Sequence, residues 1–387
     1  MTAACLNGMY TNYFEKAGYP ADEIERRLSD IFDTLFYGSE DEKIYHETGD
    51  MGYIVDTGNI EARTEGMSYG MMMCVQLDHK EEFDRIWKWA RTNMYLSEGR
   101  NQGFFCWSNA LDGSKNSDGP APDGEEYFAE ALLFASHRWG DGEGIFEYSR
   151  EACDILHNMI READGTRGRG MFDRENHLIR FVPEVDFTDP SYHLPHFYEL
   201  FSQWAYPEDR TFFAKAASAS RQYLHKACHE LSGLCAEYSY YDGTPYEKGG
   251  EIWGKHDWYY SDAYRTIMNI ALDHVWFCKD EWQEIEGARF INCMCQKVGE
   301  DNWGKVLDWD GTVRSEDVLH PTAVIATNAV AYALVSDEES DDALTLNAKK
   351  CLAKFWDTPL RQGERRYYDN CLYLFAFLLL SGRYRIW

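Results

Sequence analysis

The 387-residue chain is predicted to be all-α: a closed (α/α)6 toroid of six helical hairpins, forming one domain over residues 1–387. Three observations carry this. Apolar residues recur at helical spacing in about twelve segments, the connectors alternate short and long, and no residue signature repeats as it would in an open α-solenoid.

The first segment, 22–36, places Ile24, Leu28, Ile31, Phe32, Leu35 and Phe36 on one helical face. The others are expected at 65–78, 80–96, 124–139, 145–163, 193–205, 208–228, 260–277, 282–299, 321–336, 341–356 and 369–382. In 124–139 the face is Phe128, Ala131, Leu132 and Ala135. Connectors after 65–78, 124–139, 193–205, 260–277 and 321–336 are short, as in an αα-hairpin. Those preceding the same helices are long and rich in Trp, Tyr and charge. Asp-Gly turn signals punctuate the chain at 112–113, 141–142, 164–165, 242–243 and 310–311. This alternation sends the long loops to one end of the toroid, where a rigid scaffold usually carries its site.

Asp plus Glu number 66 and Lys plus Arg 38, a formal charge of −28. Such a surface repels phosphate backbones and anionic lipid, so nucleic acid and membrane are not expected partners. Trp, Tyr and Phe make up 16% of the chain, and their flat faces with polar edges suit sugar rings. The eleven cysteines are scattered, as reduced thiols of a cytoplasmic protein would be. No basic-then-apolar leader opens the chain, and the longest apolar run, Leu372 to Leu380, is far shorter than the ~20 residues of a membrane span.

No phosphate-binding loop, dinucleotide fingerprint, nucleophile elbow or His-Glu-x-x-His stretch is present. Cys293 and Cys295 would point to nearly opposite sides of a helix and cannot chelate one ion. No metal and no cofactor are therefore expected. What remains are carboxylates at predicted helix starts behind long loops. Glu65 follows a capping candidate, Thr64, and precedes Gly66 and Gly70, which suit a close approach by backbone or ligand. Asp123, itself a capping candidate, is followed by Glu125, Glu126 and Glu130, more acid than a cap needs. Asp262 stands three residues before Arg265, on one helical face. Several carboxylates gathered among aromatic loops suit glycoside hydrolysis, which needs one carboxyl group protonated and another ionised.

These stretches resemble family 8 of the glycoside hydrolases. Glu65-Gly66-Met67-Ser68-Tyr69-Gly70-Met71 is similar to the family's acid motif, with Thr64 before it in place of Ser. Ala121 to Trp139 is similar to its signature, departing at Pro122, Glu125 and Phe128. Ser261-Asp262-Ala263-Tyr264-Arg265 resembles its base motif, and Arg366-Tyr367-Tyr368-Asp369 its C-terminal one. The matches run in the family's order from 57 to 382.

The resemblance implies an (α/α)6 barrel that hydrolyses β-1,4 links with inversion. By it Glu65 would be the general acid and Asp262 the general base. Asp123 would bind the distorted sugar, Tyr192 would position the attacking water, and Arg265 would orient Asp262. Trp107, His320 and Tyr368 would contact bound sugar. Glu65 must then stay protonated near neutrality, so Arg63 is expected to face outward or pair elsewhere. Leu319-His320-Pro321 is similar to the loop that closes the cleft in reducing-end-xylose-releasing members, although Pro321 at a helix start has a purely structural reading too. The implied reaction is release of xylose from the reducing end of small xylo-oligosaccharides. The alternative is an endo-acting β-1,4-xylanase or β-glucanase of the same family.

Overall fold

Helices alternate between two environments along the chain in a computed structural model that describes residues 3–247, 256–335 and 342–387. In chain order the long helices are α1 (Ala21–Tyr37), α2 (Thr64–Leu77), α3 (Lys80–Asn93), α4 (Pro122–Trp139), α5 (Tyr148–Met159) and α6 (Pro195–Trp204). They continue as α7 (Arg210–Ala227), α8 (Tyr264–Phe277), α9 (Trp282–Asn292), α10 (Pro321–Val330), α11 (Ala343–Asp357) and α12 (Arg366–Leu380). The odd-numbered helices are amphipathic: α1 buries only Ile24, Leu28, Ile31, Phe32, Leu35 and Phe36, the face read from the sequence. The even-numbered ones are buried nearly all round, and every residue of α8 and α12 is buried.

The even helices form the inner wall. Each touches the next from α2 to α12, and α12 touches α2, so the ring closes. Closure separates this toroid from an open solenoid, whose first and last repeats never meet. The sixth hairpin pairs the two ends of the chain, α12 packing on α1. Its outer edge is tied by the Arg383–Glu25 ion pair. Among the described residues, no helix is long and apolar enough to cross a membrane.

All twelve predicted segments are helical, with local differences at their ends. The segment expected at 145–163 opens as a 3-10 turn, Gly144–Phe146, and its α-helix ends at Met159. That at 260–277 opens as a 3-10 turn, Ser261–Ala263, and that at 282–299 finishes as a π-helical turn, Cys293–Val298. The segment at 321–336 breaks at Ala331 and resumes as Tyr332–Val335. Ser336 and Asp341 lie outside the described residues. Four of the five Asp-Gly signals are turns of one design: Asp112, Asp164, Asp242 and Asp310 each accept the backbone N–H two residues on. Asp141 instead accepts from Ser149.

Between the helices lie small sheets that helical periodicity does not announce, because their strands are only two to five residues long. β1 (Tyr45–Thr48) and β2 (Met51–Ile54) form a hairpin. β3 (Glu61–Arg63) pairs antiparallel with β4 (Ser108–Ala110), Arg63 facing Ser108. β5 (Trp258–Tyr259), β6 (Lys305–Asp308) and β7 (Val313–Asp317) form a third sheet in that order.

Some inner-wall residues run against the usual rule for buried polar groups, Glu130 among them. Glu130 on α4 is fully buried and neither carboxyl oxygen has a hydrogen-bond partner. Burial pushes its carboxyl well above the usual range, so the folded state holds it neutral. Glu130→Met is therefore expected to raise stability by about 1–3 kcal/mol, the cost of an unsatisfied buried polar group. A group whose folded pKa is raised favours folding most below its unfolded value and loses that contribution as pH rises. The gain measured by denaturant unfolding should thus grow from pH 4 to pH 8; an equal gain at both would show that Glu130 does not titrate on unfolding.

Candidate active site

The N-termini of the six inner helices converge at the end of the barrel that bears the long loops. Each contributes: Glu65 from α2, Asp123 from α4, Asp189 and Tyr192 from the 3-10 turn ahead of α6, Asp262 and Arg265 at the start of α8, His320 ahead of α10, and Tyr367 and Tyr368 from α12. Helix N-termini present unpaired N–H groups and a partial positive charge, which favours carboxylates there.

Local sequence explains how closely these ends approach. A Cβ at Gly124 would lie 2.4 Å from Thr64 Cβ, so α4 meets α2 only because residue 124 is glycine. The sequence reads Thr64 and Asp123 as caps, but the cap positions are Arg63 and Ala121, whose side chains make no capping bond. Asp123 instead accepts the N–H of Gly124 at 2.9 Å and turns into the site. Gly66 and Gly70 admit side chains rather than a backbone or a ligand. A Cβ at Gly66 would lie 2.7 Å from the Tyr367 ring, and one at Gly70 would strike Ile54. Tyr367, seated over Gly66, donates to Glu65 Oε1 at 2.7 Å.

Arg265 joins the carboxylates. Its buried guanidinium places Nη1 2.9 Å from Glu65 Oε2 and 3.1 Å from Asp123 Oδ2, with Nη2 3.1 Å from Asp262 Oδ1 and 3.7 Å from Asp189 Oδ2. It thus contacts Asp262, as expected, but also ties three further acids from three other parts of the ring. Nη1 donates to Tyr69 Oη as well, at 3.0 Å. Since Glu65 and Asp262 sit on the two arms of one guanidinium, their nearest oxygens are at most about 8 Å apart. That admits the ~6.5–9.5 Å separation at which a water fits between acid and base.

Burial drives the titration of this cluster. It pushes the Glu65 carboxyl up to about 7; Arg265 and Arg63 oppose the rise, while Asp123 and Asp262 add to it. Asp123 is raised by burial and by Asp262, against Arg265. Asp189, fully buried, is raised well above the carboxylate range by burial and by Asp262. Arg63 pairs elsewhere, with Glu61 at 2.7 Å and Asp56 at 3.1 Å. It nevertheless stays at the cavity wall, its guanidinium 5.4 Å from the centre of the Trp107 ring.

Glu65, Asp262 and Arg63 border two lobes of unequal size. The larger, about 360 Å³, is also lined by Trp107, Asp123, Phe181, Tyr192 and Tyr238. The smaller, about 170 Å³, is lined by Asn59, Leu319, His320, Arg365, Tyr367 and Tyr368. Its far wall is braced. His320 Nδ1 lies 2.9 Å from Asp369 Oδ2, while Asp369 Oδ1 accepts the N–H of Ala323 and Arg361 Nη1 reaches Oδ2 at 2.5 Å. His320 is also the residue before Pro321 at the start of α10, so its structural reading holds beside the other. Tyr368 donates to the carbonyl of Ser261, the residue before the expected base. Ser261 itself has φ +41°, a left-handed conformation costly for a residue with a Cβ.

Sequence reasoning singles out Glu65, Asp123, Tyr192, Asp262, Arg265, Trp107, His320 and Tyr368, and all border this cavity or bind the carboxylates in it. It misses three groups. Tyr367 and Asp189 lie close to residues already singled out, one residue from Tyr368 and three from Tyr192, but nothing local marks their side chains as facing the site. Glu237 pairs with His256 at 2.7 Å, and burial and the nearby Asp262 carboxylate raise its own carboxyl well above the usual range. No spacing in the sequence connects those residues.

Comparison with known proteins places this geometry in context. The family model described as "Glycosyl hydrolases family 8" matches residues 41–380. The chain is 51% identical over 380 residues to the reducing end xylose-releasing exo-oligoxylanase of Halalkalibacterium halodurans, covering 98% of this chain and 94% of that one. It is 48% identical to the reducing-end xylose-releasing exo-oligoxylanase Rex8A of Paenibacillus barcinonensis, covering 98% and 97%. Among solved structures, a mutant reducing-end-xylose releasing exo-oligoxylanase complexed with xylobiose superposes with a TM-score of 0.94 at 50% identity, covering 100% of both chains.

Proposed function

The chain belongs to glycosyl hydrolases family 8, and from that premise we propose that it hydrolyses β-1,4-linked xylo-oligosaccharides with inversion, releasing xylose from the reducing end. One observation carries the exo-acting part of this reading. On one side of Glu65 and Asp262 the cavity is bordered by Leu319 and His320, and its volume is less than half that of the other side. A lobe of that size takes one sugar beyond the cut and rejects a longer reducing-end fragment by exclusion. The names of the two relatives agree with it.

In this reading the whole chain, 1–387, is one catalytic domain, cytoplasmic, acting on small neutral oligosaccharides. The nonreducing part of the substrate occupies the larger lobe, with Trp107 under a sugar face. Asp123 hydrogen-bonds the sugar at the cut and holds it distorted. Glu65 gives its proton to the glycosidic oxygen as the bond to the leaving xylose breaks. Asp262 takes a proton from a water held by Tyr192 as that water attacks the opposite face of the anomeric carbon. Arg265 holds Asp262 in place, and Tyr368 and His320 contact the leaving sugar. Burial keeps the Tyr192 phenol well above its usual range, so it stays a donor and acceptor toward that water.

Xylotriose labelled at its reducing end tests the proposal. Labelled xylose with unlabelled xylobiose is the expected outcome; early labelled xylobiose would overturn the exo-acting reading in favour of an endo-acting enzyme. His320→Ala should open the wall, so that labelled xylobiose appears from xylotetraose. An unchanged product profile would show that the loop backbone, not the imidazole, forms the barrier.

A further inference from the structure

Cys293 and Cys295, which the sequence reads as unable to share a ligand, have different surroundings. Past Asn292, α9 widens into the π-helical turn that carries both. Cys293 is buried with its sulfur against Gly311, where an added Cβ would lie 2.6 Å away. Cys295 is only partly buried, and its Sγ lies 3.5 Å from the Sγ of Cys351 on α11. Cys351 is fully buried. One thiol within reach of solvent thus stands directly over one that is not, across two outer helices.

We propose that Cys295 and Cys351 form a thiol-oxidation site that takes low-molecular-weight disulfides, with Cys295 the attacking thiol and Cys351 the resolving one. The Cys295 thiolate attacks one sulfur of the small disulfide. That S–S bond breaks, one thiolate leaves, and a mixed disulfide stands on Cys295. Cys351 then passes its proton to the departed thiolate and attacks Cys295 Sγ, displacing the second small thiolate. Two protein thiols are oxidised to one disulfide, and the reagent is reduced to two thiols.

Chemistry at the pair supports this order. The hydrogen bond shared with Cys351 holds the Cys295 thiol below its ordinary range, against burial and with help from Lys350. The same hydrogen bond, with burial, pushes Cys351 well above. The attacking sulfur is therefore the less buried and more acidic one. Bond formation requires the sulfurs to close from 3.5 Å to ~2.05 Å. Side-chain rotation and the irregular π turn can supply that shift.

The test uses the full chain with oxidised glutathione, followed by alkylation, digestion without reductant and mass spectrometry. A Cys295–Cys351 cross-linked peptide, two hydrogens lighter than the reduced pair, is the expected result. It should be absent in Cys295→Ser. In Cys351→Ala, glutathione should remain on Cys295 as a trapped mixed disulfide. The oxidised chain should also unfold several degrees higher than the reduced one, and a reductant should reverse the shift. Both thiols remaining free to alkylation would overturn the proposal, as would a disulfide joining either of them to another cysteine.

Discussion

Glu65→Gln is expected to lower kcat on xylotriose by about 10²–10⁴-fold, the range attached to one general acid, while leaving the fold intact. Gln keeps the shape that fits between Tyr367 and Arg265 but cannot give up a proton. The loss should shrink sharply on an aryl glycoside whose phenol leaves without protonation, which identifies the missing function as acid catalysis. The pH profile follows from the site. In the proposed role Glu65 acts while protonated, and its carboxyl is raised to about 7, so kcat/KM should fall as pH rises through that region. Asp262→Asn should cost a similar factor, but without recovery on the activated leaving group, because the water still lacks its base. Activity surviving within tenfold in either variant would remove that residue from its role.

Arg265→Met is expected to show the largest effect on stability. One buried guanidinium serves Glu65, Asp123, Asp189 and Asp262, and its removal leaves four acids facing one another. Breaking a buried pair from one side costs about 3–5 kcal/mol. The carboxyls escape part of that cost by taking up protons. Burial already raises Glu65, Asp123 and Asp189 in the folded chain, and without the cation they rise further. A raised carboxyl favours folding below its unfolded pKa and loses that contribution as pH climbs to its folded value. The gap in unfolding free energy between Arg265→Met and the parent should therefore be wider at pH 8 than at pH 5. A gap independent of pH would mean that the guanidinium acts through packing alone. Arg265→Lys should fold better than Arg265→Met yet remain slow, since a single ammonium cannot occupy both arms of the fork.

The site shows which relations a sequence carries. Glu65 and Asp262 stand out because each sits at the start of a periodic helix after a long loop, and both relations are local. Their bridge does not stand out. Arg265 is close in sequence to Asp262 alone; the other three acids come from α2, α4 and the turn before α6. Glu125 and Glu126 look like further site acids in the sequence. Both are buried, accepting from the Phe105 N–H and the Tyr198 hydroxyl respectively. The glycines look like room for a ligand but admit Tyr367 and Ile54. In each case the residue type is informative, while its partner belongs to another turn of the ring.

By itself the sequence determined the twelve long helices, the apolar faces, the end of the barrel that bears the loops and the motifs of the proposed acid and base. Those properties rest on spacings of three to eight residues or on contiguous stretches, which periodicity and turn chemistry set locally. Only the tertiary structure decided that one arginine joins four acids, that the cavity is smaller on one side of them, and that Cys295 meets Cys351. Each of these is a meeting of segments far apart in the chain. Such meetings are set by how buried faces pack together, and no local pattern encodes them.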